Sequence, residues 1–239
     1  ALDGFVEAPS IVGETLTVLP PGPLWRTDRH AVLEVRLRGG VLSSVSPEAA
    51  LAGANALALV GADGIVEIAT ASQVELIGPQ RFRLSSLIRG IGGSESAAAR
   101  TLPAGSRVVV LDGAAVALTS DLAHLGRTQR YRIGPARDDV GDATMVEFVA
   151  PIAGEALVPL SPVRPKAIRT GAGIDIDWLR RTRIDGDSWD LVEVPLGEEG
   201  ERYVLDVLDG ETPLRTEIVN APAWTYPAAQ ELADFGAPQ

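Results

Sequence analysis

The sequence predicts a mostly β chain in two domains, an irregular β domain over residues 1–157 with few short helices and a second β domain over 158–239. Three observations carry this. Apolar and polar residues alternate with a period of two in many short runs, which places one side of each run in a core. Turn residues are frequent, with 25 glycines and 17 prolines among 239 residues, as suits many short strands joined by turns. A series of prolines at 151, 159, 162 and 165 then interrupts the pattern, because proline withholds the backbone donor that a sheet needs.

In chain order, Val32–Leu37 puts Leu33, Val35 and Leu37 on one side and Glu34 and Arg36 on the other. Ile65–Ile68 and Val74–Ile77 read as two strands with Ala69–Gln73 between them, and Arg81–Leu84 alternates as well. Arg107–Leu111 is a short apolar run closed by the turn pair Asp112-Gly113. Arg130–Ile133 and Met145–Val149 add two strands. Helix signals are few. Ser46 is a plausible N-cap ahead of Pro47 at the first helical position. Ser94–Arg100 and Pro227–Leu232 each suit a turn or two.

The domain boundary is expected near residue 158, within a linker from Pro151 to Pro165. Beyond it, Ile174, Ile176 and Trp178 alternate with Asp175 and Asp177, Tyr203–Leu208 forms a second strand, and Leu214–Val219 a third. A strand ending in Trp followed by one opening with Tyr is the core pairing of a fibronectin-type-III-like β-sandwich. Such a fold needs about seven strands; only four or five can be read from residue 163 onward. The sandwich is therefore expected to be incomplete at the C-terminus, its closing hairpin lying past Gln239 or coming from a partner.

Composition excludes several classes. Apolar residues make up 46% of the chain, enough for a true core, and aromatics only 5%, so aliphatic side chains must fill it. The net charge of −11 argues against nucleic acid, whose recognition needs clustered Lys and Arg, and against an anionic membrane surface. Without cysteine, disulfides, thiolate nucleophiles and cysteine metal sites are excluded. No apolar run reaches the length of about 18 residues that spans a bilayer. The opening Ala-Leu-Asp-Gly-Phe lacks Met and a signal-peptide charge pattern, and reads as the interior of a longer polypeptide.

Catalytic material is sparse. Leu84–Glu95, with Arg89, Gly90, Gly92 and Gly93, superficially resembles a phosphate cradle, but it fits neither common glycine template and reads as a tight turn needing positive φ. Asp185–Asp190 opens like a calcium loop, yet Trp189 and Asp190 stand where that loop needs Asp or Asn and then Gly. Arg137–Asp142 reads as an exposed loop. His30 and His124 lie in polar loops and no G-x-S-x-G elbow exists. Glu198, Glu199 and Glu201 form a solvated acidic run. No catalytic residue, cofactor or metal site is expected. The one basic cluster, Arg180, Arg181 and Arg183, is a candidate binding surface for an acidic partner or anionic glycan, or else pairs with Asp185, Asp187, Asp190 or Glu193. Trp25, Trp189 and Trp224 are candidate sugar-stacking rings; the residues taken forward for binding are Arg180, Arg181, Arg183, Trp189 and Trp224.

Two blocks carry a resemblance. Gln80–Glu95 with Ala104-Gly105 and Val108–Asp112 is the first. Trp178–Trp189 with Val194–Glu198 and Ala233–Gly236 is the second and more specific. Both are similar to the C-terminal part of the tail-tip protein (host-specificity, baseplate hub) of gene transfer agents and siphophage-like tails. The similarity covers most of residues 65–239; the first 60 residues carry no recognisable motif. Where that family usually has Arg-Gly-Arg-x-Gly-Thr-Glu, this chain has Arg89–Glu95 as Arg-Gly-Ile-Gly-Gly-Ser-Glu. The resemblance implies a baseplate fibre-binding domain followed by the fibronectin-type-III-like domain, and the sparse catalytic material makes a non-enzymatic role the expectation. It implies other tail and baseplate proteins, tail fibres and a host surface glycan as partners, and a place in an oligomeric tail tip assembled in the bacterial cytoplasm and released. The competing readings are a carbohydrate-binding module and an accessory domain of a cell-wall glycoside hydrolase.

Overall fold

The structure, a computed structural model, describes residues 5–24, 26–116, 118, 121–186, 190 and 194–237. It is mostly β and divides into two compact units, Ala1–Val158 and Pro159–Gln239.

The first unit is built on a closed barrel, with few short helices as expected. Its strands are β1 (Val12–Thr15), β2 (Asp28–Leu37), β3 (Leu57–Val60), β4 (Val66–Gly78), β5 (Arg81–Ile88) and β6 (Arg107–Val110), in the order β1-β2-β5-β4-β3-β6. All six pairings are antiparallel. The seam joins the first strand to the last, Val12 opposite Val109. Closure removes the exposed edges that an open sheet presents. The alternation of β2 has the expected sense, with Leu33, Val35 and Leu37 buried. They meet Leu57, Leu59, Leu84, Leu87 and Val108, with Phe82 the one aromatic of this cluster. Each buried Leu or Val contributes about 1.5–3 kcal/mol relative to exposure.

Residues 66–77 do not form two strands; they belong to the single 13-residue β4, which Ile65 precedes. The intervening Ala69, Thr70, Ala71 and Ser72 are all buried; Ala69 and Ala71 face the core, where a narrow barrel takes small side chains, and Thr70 and Ser72 lie on the other face. Short strands β1 and β3 gave no separate signal. Both belong to the barrel, so with β2 they make three of its six strands before residue 61. The helix α1 (Pro47–Leu51) begins as expected, the Ser46 hydroxyl accepting the Ala49 N–H at 3.1 Å. After β5 the chain makes a 3₁₀ turn at Ile91–Gly93 and the short helix α2 (Glu95–Ala98). Gly90, Gly92 and Gly93 all have positive φ, in keeping with a tight turn. Beyond the barrel, β7 (Thr128–Ile133) and β8 (Val146–Pro151) form a two-stranded ribbon, followed by a 3₁₀ turn at Glu155–Leu157.

In the second unit, β9 (Val163–Thr170), β10 (Gly173–Leu179) and β13 (Ala223–Pro227) form a sheet in the order β13-β10-β9, while β11 (Tyr203–Asp209) and β12 (Thr212–Val219) form a pair. The end of the proline-rich linker is thus the start of β9. An edge strand tolerates Pro165 because only one of its sides must supply hydrogen bonds. Trp178 and Tyr203 meet as the pattern requires, edge to face with ring centroids 4.9 Å apart. After β13 comes not a strand but the helix α3 (Ala228–Phe235). Its Glu231 carboxylate accepts two hydrogen bonds from Arg169 of β9, at 2.7 and 3.0 Å. Its Asp234 takes two from Arg215 of β12, at 2.7 and 2.9 Å, and one from the Tyr226 hydroxyl of β13 at 2.7 Å. One short helix therefore ties both sheets together.

Candidate functional site

Among the described residues, buried charge is concentrated around Arg89 in the first unit. Arg89 ends β5's path into the glycine turn, and its side chain is fully buried. Its Nε and Nη2 donate to the two oxygens of Glu67 on β4, the latter bond 2.9 Å long. Nη1 donates to the Pro20 carbonyl at 3.1 Å and lies 3.8 Å from Asp28 Oδ2. The other Asp28 oxygen accepts the backbone N–H groups of His30 and Ala31 at 3.1 and 3.0 Å. All three side chains are satisfied, the condition under which buried charge is tolerated.

The cluster fixes the path of the segment above it, Pro20–Ala31. That segment forms an open cleft of about 740 Å³ lined by Pro20, Pro21, Pro23, Arg26, Thr27, Asp28, Arg29, His30 and Ala31. Gly22 must be glycine here for reasons of space: a Cβ would stand 2.6 Å from Arg89 Nη1 and 2.7 Å from Asp28 Oδ2. Proline rings make the walls, and Arg29 and His30 stand exposed at the rim. Trp25 lies outside the described residues.

Sequence reasoning placed Arg89 beside a structural turn and missed its partners. A signal was available. In β4 the inward positions run Glu67, Ala69, Ala71, and a carboxylate in register with core residues demands a buried cation.

The arginine cluster chosen from the sequence is turned toward its own unit. Arg180 donates to the Val194 carbonyl at 2.6 Å and stands 3.7 Å from Glu201. Arg181 donates to the Ser161 carbonyl at 3.5 Å, and Arg183 pairs with Glu198 at 3.1 Å. The acidic run at 198–201 thus supplies partners rather than only a solvated face. Tyr203 adds its hydroxyl, donating to Glu201 at 2.6 Å; burial first, and that carboxylate second, raise its pKa above the ordinary value. Trp224 is half-buried and stacks on Tyr226, centroids 5.2 Å apart, so one ring face is already covered. Trp189, Asp187 and Glu193 lie outside the described residues. The loop at 137–142 is exposed apart from the half-buried Asp138, and is shaped by Asp139 accepting Gly141 N–H and Asp142 accepting Thr144 N–H. His124 is half-buried at the end of a 3₁₀ turn.

Comparison with known families gives one match: residues 10–109 fit the family described as Rcc01698-like, C-terminal. The matched span begins two residues before β1 and stops one residue short of the end of β6, so it coincides with the barrel. It also takes in residues 10–60, within a stretch where no motif was recognisable. No curated protein matches the chain.

Proposed function

We propose that this chain is a non-catalytic structural part of a phage-tail-like particle of the gene transfer agent type, placed in the baseplate or tail tip. In this role it anchors tail fibres or contacts the host envelope. The observation that carries the reading is the coincidence of the family match with the complete barrel. The resemblance of the segment from Trp178 to Glu198 to tail-tip proteins supports it from the other unit. The charged groups agree with a structural role: Arg89, Glu67 and Asp28 satisfy one another inside the barrel, and the paired carboxylates of α3 are spent on arginines. The particle's other tail and baseplate proteins and its fibres are the proposed partners, with a host glycan as the outer contact.

The test is localisation. Antibody raised against this chain and tagged with gold is expected to label purified particles at the tail tip by electron microscopy. Labelling of heads alone, or no labelling of particles that contain the chain by mass spectrometry, would overturn the assignment. A dye-release assay on peptidoglycan separates the enzymatic alternative: turnover abolished by a single carboxylate substitution would sink the structural reading.

A further inference from the structure

The helix α3 is turned inside out. A surface helix ordinarily sets its apolar stripe against the core and its charges toward water. In α3 the exposed stripe is Ala228, Ala229, Leu232 and Ala233, with Leu232 55% exposed. The inward face carries Gln230, Glu231, Asp234 and Phe235, and Glu231 is the buried residue among them. Phe235, half-buried, is the one large apolar side chain on that face. Gln230 Oε1 is buried there and, among the described residues, meets no donor.

The two ends of α3 are fastened differently. At the root, the Ala228 N–H donates to the Ala172 carbonyl, between β9 and β10, at 3.0 Å. Gly173 lies so close there that any side chain on it would meet the Tyr226 carbonyl. Beyond the root the hold is made by charged and polar side chains: Arg169 of β9 on Glu231, and Arg215 of β12 with Tyr226 of β13 on Asp234. Glu217 of β12, which accepts from Arg215 at 3.4 Å, completes the charged groups around the helix among the described residues. An eight-residue helix is too short to persist alone in water. Moreover, α3 has no side-chain cap at Pro227 and no basic residue in its last turn, so its persistence depends on the two carboxylates. We propose that α3 is a hinged strap, pivoting at Pro227 and Ala228 and fastened by Glu231 and Asp234, that opens by itself while the strands beneath stay folded. Opening withdraws the carboxylates from Arg169 and Arg215 and uncovers Tyr226, which is 4% exposed when the strap is closed. The sheets stay joined through Trp178 and Tyr203, so losing the strap is not losing the unit. The proposal stands on α3 and its partners, independent of the tail-tip reading.

Native-state hydrogen exchange of the 239-residue chain, read by nuclear magnetic resonance in low urea, tests it without any substitution. The amides at 232–236 are expected to exchange through an opening of lower free energy and weaker urea dependence than those of β10 and β12, the signature of a local event. Glu231→Gln with Asp234→Asn keeps the shape of both side chains and removes their charge. In that variant the amides at 232–236 are expected to exchange roughly tenfold faster or more, the loss associated with charge-assisted hydrogen bonds, while β10 and β12 keep their rates. Leu232→Ala, on the outward face, is expected to leave all of these rates as they are. An α3 that opens only together with β10 and β12, in the wild type or in the double variant, would overturn the proposal. Unchanged exchange of α3 in the double variant would do the same, as would equal loosening by Leu232→Ala.

Discussion

Tyr203 stands edge-on to Trp178, its ring tilted 74° from the indole plane, and this contact joins the two sheets of the second unit. Trp178 is the last residue but one of β10 and Tyr203 opens β11, so the pair links a strand of the three-stranded sheet to one of the two-stranded pair.

Removing either ring should loosen the unit. Trp178→Ala is expected to cost about 3–5 kcal/mol, the range for deleting a large buried aromatic. Tyr203→Phe keeps the ring and loses the hydroxyl with its bond to the Glu201 carboxylate, about 1.5 kcal/mol. Denaturant unfolding followed by near-ultraviolet circular dichroism measures both. Equal losses for the two variants would mean that the hydroxyl, not the ring contact, carries the pairing.

In the barrel, Arg89→Ala leaves Glu67 and Asp28 buried without their cation, and a loss of about 3–5 kcal/mol is expected. The double variant Arg89→Met, Glu67→Leu removes both ends of the bidentate pair. It is expected to be more stable than the sum of the two single losses. Thermal unfolding of the wild type, Arg89→Met, Glu67→Leu and the double variant completes the cycle, and simple additivity would show that the pair is uncoupled.

Gly22→Ala tests the space above that cluster. Its methyl group would press on Arg89 and Asp28, and overpacking of this kind costs about 1–3 kcal/mol. Hydrogen exchange should report the loss first at the N–H groups of His30 and Ala31, which Asp28 holds. Unchanged protection there would show that the loop yields without disturbing the cluster.

The junction of α3 has a pH signature at both extremes. Arg215 first, and the Tyr226 hydroxyl second, hold the Asp234 carboxyl below its ordinary 3.8. The folded chain binds that proton less tightly than the unfolded chain. The stability it lends is complete above 3.8 and is lost as pH falls through the lowered value. Tyr226 behaves oppositely. Burial, then its bond to Asp234, push the phenol up to about 12, so its contribution is full below 10 and disappears as pH rises toward 12. Spectrophotometric titration should find one tyrosine among the three that ionises last, and Tyr226→Phe should remove that step. If the late step survives, the assignment to Tyr226 fails.

Strands whose inward residues are large were legible from sequence, as Leu33, Val35 and Leu37 show, because their alternation is strong. The middle of β4 was not, since Ala69 and Ala71 bury little area and Thr70 and Ser72 read as polar. Barrel closure was hidden for a different reason: it depends on β1 finding β6 across the whole domain, and nothing local to Val12 or Val109 encodes that partner. At the site, the Arg183 region was chosen for its charge, but its fate was decided by Glu198 and Glu201, which pattern alone assigned to solvent. Glu67 was the readable clue that went unused, an acid in register with a core.

The seam between Val12 and Val109 also bears on how the chain reaches this fold. A strand pair so distant in sequence forms late, because closing the intervening loop costs entropy before any bond repays it. During synthesis β1 must wait for β6 to emerge, and until then the nascent sheet keeps two open edges. Those edges invite pairing with neighbouring chains. The hazardous interval in the life of this barrel is therefore its birth, when the first strand is already made and its final neighbour is not.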